Sequence, residues 1–340
     1  MARKDLRHAR INSAIVRRAW AFGRRAPRGV AIAMKFDIQH ATADPNWTPD
    51  ILSSSALTRF ARAVEDSGYA SLGFTDHPAP PARWVRAGGE GSIDPFSALG
   101  FCAAVTSKIR LLTFVLVLPY RNPFLAAHQT ASLDSLSDGR LIVGLGTGYL
   151  RGEFGALGVH FDSRCAAFDE AVGILRRSWA GEEISFSSGT LDARGVVLQP
   201  LPVQRPGPPL WVHGNAGWGL ERAARYGDGW FGVLATGQLA RMMRTAPIDG
   251  FGELAKRIDT LRRSTVAHGR DAHAVEVVLS GHWPMLDVRR GWDSSRMRDE
   301  VAELTEMGVD RVVVIVCGDD PGASEDTVRR FGEEVIALCG

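Results

Sequence analysis

Eight short apolar runs alternate with eight amphipathic stretches along residues 34–340, and few folds accommodate that pattern. Met34–His40 reads as the first strand. Ser53–Ser67 follows, with Leu57, Phe60, Ala61 and Val64 at the i, i+3, i+4, i+7 spacing of a helix face, and Gly68 ends it. Further strands are predicted at Ser71–Thr75, Ile109–Leu118, Arg140–Leu145, Leu210–His213, Gly229–Val233, Val275–Ser280 and Arg311–Val316. Between them, helices are predicted from Pro95, behind an Asp94 cap, and over Pro123–Leu136, Cys165–Trp179, Gly217–Tyr226, Phe251–Ala267, Met297–Met307 and Ser324–Leu338. A helix, a turn glycine and an apolar strand recur at Ser67-Gly68-Tyr69, Tyr226-Gly227-Asp228 and Met307-Gly308-Val309. Eight such units predict a closed (β/α)8 TIM barrel. The structural alternative, a doubly wound sheet, would carry a glycine fingerprint after the first strand, and none is there.

Two segments stand outside the alternation. Residues 181–209 hold five prolines and a predicted short hairpin, Ile184–Phe186 against Val196–Leu198, an insertion suited to a lid or an oligomer contact. Residues 1–33 are a basic extension: the first thirty hold nine Lys or Arg and a single acid, Asp5. They read as a mis-assigned start ahead of Met34, or as a disordered arm. The other 310 residues hold 31 basic and 37 acidic side chains, so the net charge of +2 does not argue for a nucleic-acid partner. No run approaches the roughly 20 apolar residues of a membrane span. Cys102, Cys165, Cys317 and Cys339 form no C-x-x-C pair and no metal-ligand spacing, as expected of free thiols in a reducing cytoplasm.

In such a barrel the active site lies at the C-terminal ends of the strands, so the loops that follow them carry the candidate chemistry. The second strand exits into Gly73-Phe74-Thr75-Asp76-His77-Pro78. Histidine exchanges its proton near neutral pH, and a neighbouring carboxylate such as Asp76 can fix its tautomer. A loop histidine bonded only to backbone is the plainer alternative for His77. The fourth strand exits into Gly144-Leu145-Gly146-Thr147-Gly148-Tyr149. Alternate glycines let backbone approach a flat or anionic ligand, yet the spacing matches neither the dinucleotide nor the P-loop fingerprint and also suits a tight strand exit. The fifth exits into His213-Gly214-Asn215-Ala216-Gly217 directly ahead of a helix, where N–H groups and glycine favour a phosphate or form an ordinary cap. The third leaves through Tyr120-Arg121-Asn122-Pro123, with Arg121 placed to bind an anion or to cap the next helix. Trp84 and Trp218 sit in loops on the same face, suited to stacking on a ring or to closing the barrel mouth.

Four stretches in this order carry a resemblance: Thr75-Asp76-His77-Pro78; Leu116 to Pro123; Asp138-Gly139-Arg140 with Gly144 to Gly148; and Ala223 to Trp230. Over residues 34–340 the chain resembles the bacterial luciferase-like monooxygenase family, and within it the branch of oxidoreductases that use coenzyme F420. The resemblance implies hydride transfer between a deazaflavin and a small organic substrate, in a homodimer. It implies that His77 faces the cofactor ring with Asp76 beside it. A non-proline cis peptide around Phe114-Val115 is implied behind the ring, with Thr113, Phe114 and Val115 as cofactor contacts. Thr147, Gly148 and Tyr149 are implied to touch the cofactor, Gly214, Asn215 and Ala216 to hold its phosphate, and residues 181–209 to vary with substrate. One departure matters. Sugar-phosphate dehydrogenases of that branch carry a glutamate where this chain has Tyr149, and Glu153 cannot be placed from sequence, so no carboxylate receives an acid role.

Three other readings remain open. Reduced FMN from a separate reductase would make the chain a two-component monooxygenase. A non-catalytic flavin-binding protein could use the same fold. An unrelated barrel lyase could use the phosphate loop alone, although no lysine falls at a predicted strand end for Schiff-base chemistry.

Overall fold

Mostly apolar strands buried on both faces need cover inside and out, and a closed parallel barrel supplies it. The computed structural model describes residues 33–189 and 191–339; the extension expected at residues 1–33 lies, apart from Ala33, outside the described residues. Ten strands occur, β1 (Lys35–Gln39), β2 (Ser71–Phe74), β3 (Arg110–Val117), β4 (Leu141–Gly146), β5 (Ile184–Ser188), β6 (Leu191–Val196), β7 (Leu210–His213), β8 (Gly229–Val233), β9 (Glu276–Ser280) and β10 (Arg311–Ile315). Eight of them close the barrel in the order β1-β10-β9-β8-β7-β4-β3-β2, while β5 and β6 form a separate hairpin. Every residue of β2, β4 and β8 is buried. No helix of the described residues is long and apolar enough to cross a membrane.

The core has two layers. Inside the barrel, Leu112, Ile142, Trp211, Phe231, Val278 and Val313 pack together. Outside it, strand residues such as Ile38, Leu72 and Val143 pack against Leu57, Phe60, Leu175, Leu254 and Phe331 of the helices. At the N-terminal end, Arg311 makes two hydrogen bonds to Asp37, 2.8 and 2.5 Å long, both side chains being buried. Ser71 donates to the same carboxylate at 2.6 Å, and the Arg311 guanidinium lies 4.8 Å from the Trp211 ring centroid. This closes the barrel floor below the inner apolar layer.

Local chemistry explains most element boundaries. The side chains of Asp94, Asn122 and Asp320 each accept from first-turn N–H groups, capping helices Pro95–Val105, Pro123–Leu136 and Pro321–Phe331. Most strand ends shift by a single residue, the last predicted helix turns into a π segment at Gly332–Ile336, and three element starts move further. The Asp293 and Asp320 caps start the last two long helices three residues early, at Ser294 and Pro321. The hairpin turns at Gly189, whose φ is +58, so the return strand begins at Leu191 and not at Val196, although Ile184 still pairs with Val196. Three short helices, Ala82–Arg86, Arg151–Ala156 and Gly237–Met242, escape sequence reading because five or six residues cannot display a 3.6-residue period. All three border the candidate site.

Candidate active site

A cavity of about 310 Å³ opens at the C-terminal mouth of the barrel. Its wall is built on β3. The pairing of β3 with β4 shifts register between Thr113 and Leu116, and the Phe114–Val115 peptide there is cis, at the position the resemblance implies. Phe114 and Val115 line the cavity, and Phe114 meets Phe231 edge-on at 4.6 Å. The glycines of β4 face this bulge. A Cβ on Gly144 would lie 2.3 Å from the Thr113 carbonyl oxygen, and one on Gly146 would lie 2.8 Å from Val115 Cγ2. Their small size therefore serves strand packing, the tight strand exit that was one of the two readings open from sequence. Thr113 belongs to the same seam: fully buried, it donates to the Gly144 carbonyl at 2.8 Å and does not line the cavity. Gly144→Ala is accordingly expected to destabilise the fold by about 1–3 kcal/mol, the usual cost of overpacking, read from the urea midpoint at constant m-value. An unchanged midpoint would mean that the bulge yields freely.

His77 stands over this wall, and its environment differs from the one its sequence neighbours suggest. Asp76 points away from the ring of His77: it accepts from the Val117 N–H at 2.8 Å and pairs with both terminal nitrogens of Arg121 at 2.6 and 2.9 Å. Asp76 thus anchors the third-strand exit, and Arg121, offered from sequence as an anion binder or a cap, is its counter-ion. The carboxylate that fixes His77 is Glu153, from the short helix Arg151–Ala156. It lies 3.1 Å from His77 Nδ1 and also accepts from the Tyr120 hydroxyl at 2.8 Å and the Ala79 N–H at 3.2 Å. A carboxylate taking those donors makes Nδ1 the protonated nitrogen and leaves Nε2 toward the cavity. There Nε2 meets the Tyr149 hydroxyl at 3.3 Å and a Glu90 oxygen at 3.7 Å. Burial on its own would lower the His77 pKa. The hydrogen bond to Glu153 and the charges of Glu90, Glu153 and Asp76 outweigh it and raise the pKa above the ordinary value. Desolvation likewise pushes the Glu90 carboxyl up, opposed by His77 and by a hydrogen bond from Gln39. His213, also on the cavity, is pushed down to about 4 by burial and stays neutral.

Part of the cavity lining is basic. Arg164 and Arg244 line the cavity and cover the Phe161 ring, at 3.9 and 5.3 Å from its centroid. The Arg164 Nη1 donates to the Phe161 carbonyl at 3.0 Å, but its Nε is buried without a partner. Arg244 holds a left-handed φ of +49, a conformation that non-glycine residues seldom adopt and that clusters at ligand sites. Gly214 reaches the same lining at the start of helix Gly217–Tyr226, whose first turn has no side-chain cap. Two cavity-lining guanidinium groups and a helix start without a side-chain cap are the chemistry that suits an anionic group such as a phosphate. Asn215 does not take part. Its side chain is buried, donating to the carbonyls of Val233 and Ala246 and accepting from the Val233 N–H, so it braces the loop. Ala216 caps the helix and does not line the cavity.

Of the residues expected from sequence, the structure brings Asp76, His77, Phe114, Val115, Thr147, Gly148, Tyr149 and Gly214 to one cavity, and leaves Thr113, Asn215 and Ala216 in supporting positions. Trp84 also lines it, tilted against His77 with ring centroids 4.9 Å apart. Sequence reasoning missed Gln39, Glu90, Arg164, Met242, Met243 and Arg244, and could not place Glu153. The available signal was weak: polar or flexible residues a few positions beyond each strand-end loop. Among the described residues no group of three or more His, Cys, Asp or Glu is arranged to hold a metal ion.

Fold and site together define a TIM-barrel protein whose mouth holds a cavity lined by a histidine bonded to a buried carboxylate and by two arginines. A family model described as luciferase-like monooxygenase matches residues 34–287, and the chain belongs to that family. It is similar to the F420-dependent glucose-6-phosphate dehydrogenase of Gordonia bronchialis, 30% identical over 213 residues that make up 60% of this chain and 59% of the relative. It is also similar to the FMNH2-dependent dimethylsulfone monooxygenase of Pseudomonas putida, 28% identical over 177 residues, 51% of this chain and 44% of the relative. The chain thus spans less than two thirds of the length of these curated relatives. Among solved structures, the monooxygenase RslO1 from Streptomyces bottropensis shares the fold with a TM-score of 0.74 at 22% identity, covering 90% of this chain and 100% of that one. The family therefore holds both F420- and FMNH2-dependent relatives of this chain.

Proposed function

We propose that this chain is a coenzyme F420-dependent oxidoreductase that exchanges a hydride with a small organic substrate. The observation that carries the reading is that one cavity is lined both by His77, held in place by Glu153, and by two guanidinium groups, Arg164 and Arg244, suited to an anion. A bound deazaflavin would supply hydride exchange at its ring. Phe114 and Val115 would back the ring, with Thr147, Gly148 and Tyr149 along its edge. Arg164, Arg244 and the Gly214 N-terminal turn would hold its phosphate. His77, kept in one tautomer by Glu153, would give or take the substrate proton at Nε2. Trp84, Leu239, Met242 and Met243 form an apolar lip suited to excluding water. A homodimer and a cytoplasmic setting belong to this reading.

The second reading keeps the family and changes the cofactor to reduced FMN delivered by a separate reductase; the similarity to the dimethylsulfone monooxygenase favours it. Fluorescence titration of the full chain with F420 and with FMN separates the two. The expected result is F420 binding at least about tenfold tighter than FMN, a difference of about 1.4 kcal/mol, weakened in Arg164→Ala. FMN binding tighter than F420 would replace the proposal by the second reading, with oxygen uptake as the next assay. Binding of neither would sink both.

A further inference from the structure

Protons that His77 gives up inside the cavity have to be replaced, and the structure restricts the route. Glu153 cannot supply them, because it is fully buried and its oxygens are occupied by Ala79, Tyr120 and His77. Asp76 is held by Arg121 and the Val117 N–H. Tyr149 is a phenol that burial pushes far up its scale, so it can donate a hydrogen bond but does not ionise. Glu90 is different. Its side chain is 27% exposed, one oxygen lies 3.7 Å from His77 Nε2, and the other accepts from Gln39 Nε2 at 2.7 Å.

The loop that carries Glu90 is held in place. A Cβ on Gly89 would lie 2.2 Å from the Trp84 ring, and one on Gly91 would lie 2.1 Å from Trp47 Nε1. Two indoles therefore grip the backbone on either side of Glu90, and only glycine fits at both flanks. An arrangement this tight, around a residue that contributes no core packing, points to a placed carboxyl group.

We propose that Glu90 is the proton relay between His77 Nε2 and solvent. After the Nε2 proton passes to a substrate oxygen, the Glu90 carboxylic acid donates its own proton to Nε2. The resulting carboxylate then takes a proton from water. In the opposite direction each step reverses, and no electrons move. This role rests on the reading of His77 as the group that exchanges protons with substrate, but it can be tested without cofactor or substrate.

The test is 15N NMR of the full chain labelled at histidine, following the exchange of the His77 Nε2 proton with water and the titration of the ring. The His77 signals are assigned by their loss in His77→Gln. Glu90→Gln keeps the loop and the hydrogen bond to Gln39, with the amide carbonyl as acceptor, but carries no transferable proton. It is expected to slow Nε2 exchange about ten- to a hundredfold, the lower part of what a positioned proton-transfer group contributes. It should leave the tautomer unchanged, and added formate should restore exchange. Glu90→Asp should retain part of the rate, whereas Glu153→Gln should change the tautomer. Exchange as fast in Glu90→Gln as in the wild type would overturn the relay, as would slow exchange that formate does not restore, which would mark a purely structural role. Because this measurement uses ligand-free protein, its failure is separate from failure of F420 binding.

Discussion

His77→Ala is expected to lower turnover by about 10²–10⁴-fold, the range that a positioned acid–base group supplies. The substitution removes the ring that bonds Glu153 and lines the cavity, and leaves Arg164, Arg244 and Gly214 in place. F420 affinity should therefore change by less than about tenfold, or 1.4 kcal/mol. Stopped-flow oxidation of reduced F420 by the first carbonyl substrate accepted in a panel gives the rate, and fluorescence gives the affinity. Loss of both together would mean that His77 acts in binding. Unchanged turnover would remove it from the mechanism and shift attention to Tyr149, whose hydroxyl shares its side of the cavity. The rate should also follow pH in a defined sense. Because the His77 pKa is raised, the imidazolium persists above its ordinary range, so reduction that needs a proton from Nε2 should fall as pH rises through that raised value, later than for an ordinary imidazole.

The second large effect concerns stability. Asp37→Ala would leave the Arg311 guanidinium buried at the barrel floor with Glu276 at 3.7 Å as its remaining carboxylate, and Ser71 without its acceptor. Breaking a buried pair in this way costs about 3–5 kcal/mol, because one charge stays desolvated without compensation. Equilibrium urea denaturation is the measurement. Adding Arg311→Met should recover much of the loss, since an apolar replacement of the whole pair is close to neutral. A single-variant loss below about 1 kcal/mol, the range of exposed pairs, would show that water reaches the floor. The pair lies at the opposite end of the barrel from the cavity, so cofactor binding by the folded variant should be unchanged.

The route from residues to site was uneven. Strands were legible as short unbroken apolar runs, and long helices because they repeat their chemistry every 3.6 residues, as at Leu57, Phe60, Ala61 and Val64. His77 and Tyr149 were legible because a barrel's strand ends are known once its strands are and the luciferase-like motifs fall there, whereas Phe114 and Val115, inside β3, were legible only through the resemblance. Thr113, Asn215 and Ala216 shared those positions but point into seams and caps, a distinction of side-chain direction that one sequence does not carry. The partners of His77 were the hardest to find. Asp76 is adjacent in sequence yet bonds Arg121, whereas Glu153 lies 76 positions away and arrives on a helix of six residues. Glu90 reaches the same ring only because its loop threads between Trp84 and Trp47. Periodicity and strand-end position, which are local properties, are enough to specify the barrel and its working face, and the family resemblance singles out the histidine there. Proton chemistry depends on which groups are desolvated together, a property of distances across the fold, and it became readable only when helix Arg151–Ala156 and the Glu90 loop closed on His77.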